Sequence, residues 1–227
     1  MPDATYTVYL ETGKRRTFAG ALDWPGWCRS GRDEEGALQA LLDYAPRYAA
    51  VLSPAGIELP LPEDLAAFTV AERLQGNSTT DFGAPAIAPA VDSQPLDQAD
   101  HDRFRAMLQA GWQAFDATRA RAAGRELRKG PRGGGRELEA MVIHVREADL
   151  AYLHRVGHKP QIDPDTDPEE ALAEVRRAIF DALADGLQRE LPTRGPRGGK
   201  RWTARYFTRR VVWHLLDHTW EIEDRII

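Results

Sequence analysis

Three histidines, His144, His214 and His218, are the residues of this chain whose type and spacing point to chemistry. His214 and His218 stand four apart where Phe207, Val211, His214, Leu215, His218 and Ile222 recur with helical spacing. Both imidazoles therefore fall on the apolar stripe that packing should bury. Residues four apart on a helix have Cβ atoms about 5–6 Å from each other. That lets two rings meet one ion at bonds of about 2.0–2.1 Å. His144 lies between Met141, Val145 and Ala148 on the inward face of a second helix. It is expected roughly 12 Å from its helix start and His214 roughly 16 Å from its own, so the depths match for parallel or antiparallel helices. Three neutral imidazoles leave at least one coordination position open to water or substrate, which separates a catalytic metal site from a closed structural one. Zinc, nickel or iron fits such a donor set.

A single inward histidine is more often a core residue bonded to a neighbour. Burying three without a shared cation would strand several polar atoms, which favours a metal. His101, His154 and His158 fall near helix ends and read as solvated. Asp217 or Glu221 is a candidate to hold a ligand ring, although surface salt bridging is the commoner use of such residues. The residue pattern identifies no catalytic or cofactor-binding residue beyond the three ligands.

The elements that must position these rings are four amphipathic helices in the second half, expected at about 99–123, 136–156, 168–190 and 203–225. In the first, Phe104, Met107, Leu108, Trp112 and Phe115 make one continuous stripe. The third displays Leu172, Val175, Ile179, Leu183 and Leu187. Breakers GPRGGG at 130–135 and RGPRGGKR at 194–201 separate helices, and a four-helix bundle over 97–227 is the economical architecture. The first half reads differently. Tyr6, Val8 and Leu10 alternate as on a strand, Gly13 and Lys14 suit a hairpin, and a second strand follows around 17–22. A short third strand is expected at 27–29, a helix capped by Asp33 and ended or kinked by Pro46, and a last strand at 68–74. The polar, Pro/Ala-rich residues 76–96 read as a linker. The expected organisation is thus a small α+β domain at 1–75, a linker, and an all-α bundle at 97–227.

The composition agrees with two folded domains: 227 residues, 42% hydrophobic, with six Trp, six Tyr and seven Phe. No stretch approaches the roughly 18 apolar residues of a membrane span, and no leader is recognisable, so a cytoplasmic protein without membrane association is expected. The lone Cys28 cannot form an internal disulfide and excludes CxxC zinc modules; it reads as a packed residue. Before position 95 there are 7 basic and 13 acidic residues, and after it 23 and 22. Neither half has the basic excess of a nucleic-acid binder. The arginines at 119–136 and 194–210 read as solvated loop charge, and Trp213 and Trp220 as core beside the histidine stripe.

MVIHVREADLAYLHRVG and RRVVWHLLDHTWEIEDR resemble the metal-site helices of the DinB-like superfamily, bundles with a His on the second helix and an HxxxH pair late in the chain. The resemblance covers 97–227 and places that family's metal triad on His144, His214 and His218. It implies helices running up, down, down, up. It also implies a divalent-metal-dependent thiol S-transferase, isomerase or hydrolase, with a low-molecular-weight thiol such as mycothiol or bacillithiol and a small-molecule substrate. No thiol-binding motif is matched. DWPGWCRSGRDEEGALQALLDY is similar to the strand, turn and helix of HicB-like antitoxin domains, over about 4–75. That implies a binding or dimerising module, and with it a homodimer. The competing reading is a non-catalytic, two-domain stress or interaction protein whose metal is structural or vestigial. A toxin–antitoxin regulator would need a basic surface that the charge count does not supply.

Overall fold

The computed structural model describes residues 4–129, 135–188, 194 and 199–227. The chain divides into two units, Met1–Gln94 and Pro95–Ile227.

The first unit is built on strands β1 (Tyr6–Thr12), β2 (Thr17–Ala21), β3 (Cys28–Gly31) and β4 (Phe68–Gln75) in the order β3-β2-β1-β4. β1 pairs antiparallel with β2 and parallel with β4, and β2 pairs antiparallel with β3. A parallel partner needs a crossover, which is supplied by α1 (Glu34–Asp43) and α2 (Ala45–Leu52). Asp33 caps α1 by accepting from the Gly36 N–H at 2.8 Å. Pro46 divides rather than ends the helical stretch, because proline fits the first turn of α2 where no N–H is needed. Gly31 is required by contact: a Cβ there would sit 2.3 Å from the Ala37 nitrogen, so β3 can turn into α1 only without a side chain. The core is aromatic. Trp27 is fully buried, donates to the Leu41 carbonyl at 2.9 Å, stacks on Tyr48 and meets Tyr6 edge-on.

Residues 76–94, expected as a linker, belong to the first unit. Glu11 on β1 is fully buried and accepts from the amides of Ala86 and Ile87 and from the Thr80 hydroxyl. Glu72 on β4 accepts from Ala90 N–H at 2.8 Å. These bonds tie α3 (Ser78–Phe82) and the turns after it to the sheet. A buried carboxylate is tolerable when its lone pairs are met by donors, and here backbone amides meet them.

The second unit contains α4 (Gln98–Ala122), α5 (Leu138–Val156), α6 (Pro168–Gln188) and α7 (Ala204–Arg225). Each lies within two residues of its sequence expectation. Of the two breakers, residues 130–134 and 195–198 lie outside the described residues. Trp112 meets Phe180, Arg176 holds Asp116 through two bonds of 2.7 Å, and Arg119 pairs with Glu169, so α6 runs antiparallel to α4. Arg205 binds Asp100 and Thr118 binds Glu223, so α7 runs parallel to α4. His158 bonds to Asp185 at 3.2 Å while the charges of Asp149 and Arg176 act on each other, which sets α5 parallel to α6. α7 has 17 of its 22 residues buried and packs against the other three helices. Its Thr208 and Thr219 hydroxyls bond back to the carbonyls of Ala204 and Leu215, so they enter the interior already satisfied. Arg209 and Arg210, expected as loop charge, are instead buried at 5% and 6% exposure on α7. Among the described residues, no helix is long and apolar enough to cross a membrane.

Candidate metal centre

α5 and α7 run antiparallel, since His144 faces His214 and His218 while Tyr152 faces Arg210. Each element presents its ligand by its helical repeat. On α7 the residues Arg210, His214 and His218 form one line at intervals of four, and on α5 His144, Ala148 and Tyr152 form another. The two lines meet in the seam. The Nε2 atom of His214 lies 3.2 Å from His144 Nε2 and 3.2 Å from His218 Nε2. One ligand atom from each of the three residues lies within 4.8 Å of the others. Among the described residues this is the one cluster of three metal-ligating groups so close together.

The donor chemistry fits a cation. His218 Nδ1 is 2.9 Å from a Glu221 carboxylate oxygen, so Nδ1 donates to Glu221 and Nε2 is the ring nitrogen turned toward the other two histidines. His214 Nε2 stands between two other imidazole nitrogens, and one proton on it can serve only one of them. A positive ion serves all three. At bonds of about 2.0–2.1 Å, nitrogens 3.2 Å apart subtend about 100° at an ion, between the octahedral and tetrahedral angles. Two nitrogens sharing one ion stand at most about 4.2 Å apart, so an ion held by all three would need the outer pair, His144 and His218, to lie within that span.

Burial prepares the rings for this role. It holds the His214 imidazole well below its ordinary pKa and lowers that of His144, with the neighbouring His218 adding to both shifts. Both stay neutral at neutral pH, the form that coordinates. The hydrogen bond with His218, followed by the charges of His218 and Arg225, holds the Glu221 carboxyl below the usual range against the cost of burial. Glu221 also binds Arg225 at 3.0 Å, and Arg225 is fixed by the Arg128 carbonyl at 2.8 Å. Thus a chain of contacts orients His218. Glu221→Ala should weaken metal binding about 10- to 100-fold in a competition titration with a coloured chelator. An unchanged affinity would show that the ring needs no such support.

Of the residues singled out in the sequence, the three expected ligands converge and Glu221 takes the supporting position, while Asp217 is half-buried on α7. His101 bonds to Asp102, His158 bonds to Asp185 and His154 is exposed, so none of them joins the centre. Trp213 and Trp220 are core, at 4% and 2% exposure, and Cys28 is buried against the Tyr9 hydroxyl.

Sequence reasoning missed Tyr152 and Arg210 beside the triad, and the buried Asp149 on α5. The Tyr152 ring lies 5.8 Å from that of His214, and its hydroxyl accepts from Arg210 at 3.1 Å. The Arg210 guanidinium rests 4.8 Å from the Trp213 ring centre. Asp149 is buried at 1% exposure, and its Oδ1 has no hydrogen-bond partner among the described residues. Burial pushes its carboxyl up to about 8, against the charge of Arg176. Spacing held the clue: Arg210 precedes His214 by one turn, and Asp149 continues the Met141 and Val145 stripe. No family model, curated protein or solved structure matches this chain.

Proposed function

We propose that this chain is a metalloprotein of the DinB-like kind in which His144, His214 and His218 hold a divalent zinc, nickel or iron ion. In this reading it acts as a thiol S-transferase or hydrolase on a small molecule. The observation that carries the reading is the convergence of three imidazole nitrogens on one point in the α5/α7 seam. When bound, such an ion supplies Lewis-acid chemistry, lowering the pKa of a thiol or water in its open position so that a nucleophile exists at neutral pH. The chain's own residues do the rest. His144 and His214 present unprotonated nitrogens because burial keeps them neutral. Glu221 keeps the His218 proton on Nδ1 and so aims Nε2 inward. Mycothiol or bacillithiol is the proposed class of thiol.

The test is elemental analysis of protein purified without a nickel column. Wild type is expected to carry about one ion per chain, and His214→Ala and His218→Ala almost none, because a facial trio reduced to two imidazoles loses its chelate. Equal metal content in all three proteins would reject the reading. With metal established, incubating the loaded protein with mycothiol or bacillithiol and an electrophile tests the transfer. Turnover no faster than that of metal-free protein would leave a binding protein.

A further inference from the structure

We propose that a cavity between α4 and α6, in the second unit, is a binding site for a small aromatic carboxylate. Its walls draw no residue from α5 or α7, so it is independent of the metal reading.

Two observations carry it together. The first is the cavity itself, about 340 Å³, whose walls include Gln109, Trp112, Gln113 and Asp116 of α4 with Arg176 and Phe180 of α6. That volume falls at the lower end of the range for small-molecule sites. The second is a pair of donors in those walls with nothing to receive them. Trp112 is only 6% exposed, and its indole Nε1–H has no acceptor among the described residues. Arg176 gives both Nη groups to Asp116 at 2.7 Å, while its Nε–H is buried and likewise without an acceptor among the described residues. Both nitrogens are shut off from bulk water, so solvent does not take the acceptor's place. A buried N–H without an acceptor is costly and uncommon in a folded protein. Two of them on side chains that line one cavity mark a place where an acceptor belongs.

The walls narrow the chemical class. A carboxylate only accepts, and it has an oxygen for each of the two donors. Asp116 already balances Arg176, and the exposed Arg177, whose contact with Glu174 is a loose 3.9 Å, adds a cation at the rim. This balance suits a single negative charge better than the double charge of a phosphate. The body of the ligand follows from the aromatic wall, where the Trp112 and Phe180 rings meet edge to face at 4.9 Å and offer a flat apolar surface. Gln109 and Gln113 are exposed and Phe180 is half-buried, so these are the side chains that move aside as the carboxylate reaches the two nitrogens.

The experiment is proton–nitrogen NMR of the full chain, in which each of the six tryptophans gives one indole N–H signal. Benzoate should move the Trp112 indole proton downfield, as a new hydrogen bond does. Benzyl alcohol, which keeps the ring and lacks the charge, should need a concentration about tenfold higher, the difference between a charge-assisted and a neutral hydrogen bond. Trp112→Phe assigns the signal by its loss, and cross-peaks to the Phe180 ring assign it in wild type if that variant does not fold. Arg176→Lys keeps a positive charge beside Asp116 but lacks the Nε–H, and it should weaken benzoate about tenfold. Benzoate that moves no indole signal, or moves one other than that of Trp112, would overturn the site. Equal affinities for benzoate and benzyl alcohol, or an Arg176→Lys variant that binds benzoate as wild type does, would overturn the carboxylate and its two donors.

Discussion

Metal-free protein given zinc at a free concentration a thousand times its Kd should gain about 4 kcal/mol of stability. The same addition should leave His214→Ala unchanged. The gain would follow from linkage: in the proposed reading the ion binds a site assembled from α5 and α7, which the unfolded chain lacks. Thermal melting followed by helical circular dichroism measures it, because the ligand-bearing helices contribute to the signal. The pH dependence has a definite sign. Burial depresses the folded-state pKa of His214 and of His144 below the ordinary imidazole value, so the folded protein refuses protons that the unfolded chain accepts. Their contribution to stability is present above about pH 6.5 and is lost as the pH falls below it. These two rings are already neutral at pH 7, so protons on them should not compete with zinc between pH 7 and pH 8. A rise in affinity of about a hundredfold over that interval, the competition of two protons, would go against the burial argument.

Asp149→Asn should stabilise the protein by a few kcal/mol at pH 9 and have little effect at pH 4. The wild-type carboxyl is pushed up to about 8 by complete burial, with Arg176 only partly opposing it. A raised folded-state pKa means that the folded chain holds a proton the unfolded chain releases above about 4. Stability from this group is therefore full below about pH 4 and drains away as the pH climbs to 8. Asparagine mimics the neutral acid in shape and never ionises, so the variant should lack this decline. Denaturation in urea at pH 4, 7 and 9 gives the comparison, and parallel stability curves for the two proteins would contradict the assignment. The opposite slopes of the histidines and Asp149 place the stability maximum of metal-free protein in the middle of the range.

The four long helices and the clustering of the three histidines were legible because both rest on one signal, the 3.6-residue period, which is strong over 19–25 residues. His144, His214 and His218 are polar interruptions of apolar stripes, and their convergence needed only that the stripes face one another. The segment 76–94 was not legible, because it is held by amide hydrogens donated to Glu11, and backbone donors leave no mark in a pattern of side chains. Glu11 itself stands beside Leu10 in a strand whose later residues are covered on both faces, so alternation alone places it outside. Arg210 was misplaced for a related reason. A basic residue following a basic loop reads as solvent-facing until the Tyr152 hydroxyl and the Trp213 ring are known to receive it.

The burial of α7, which has 17 of its 22 residues inside, bears on the order in which the second unit assembles. It is the last of the four to be synthesised and carries two of the three clustered histidines, so α4, α5 and α6 can associate beforehand without assembling that cluster. Capture of cobalt during refolding would then time the docking of the final helix, with the appearance of colour serving as a clock for the closing step.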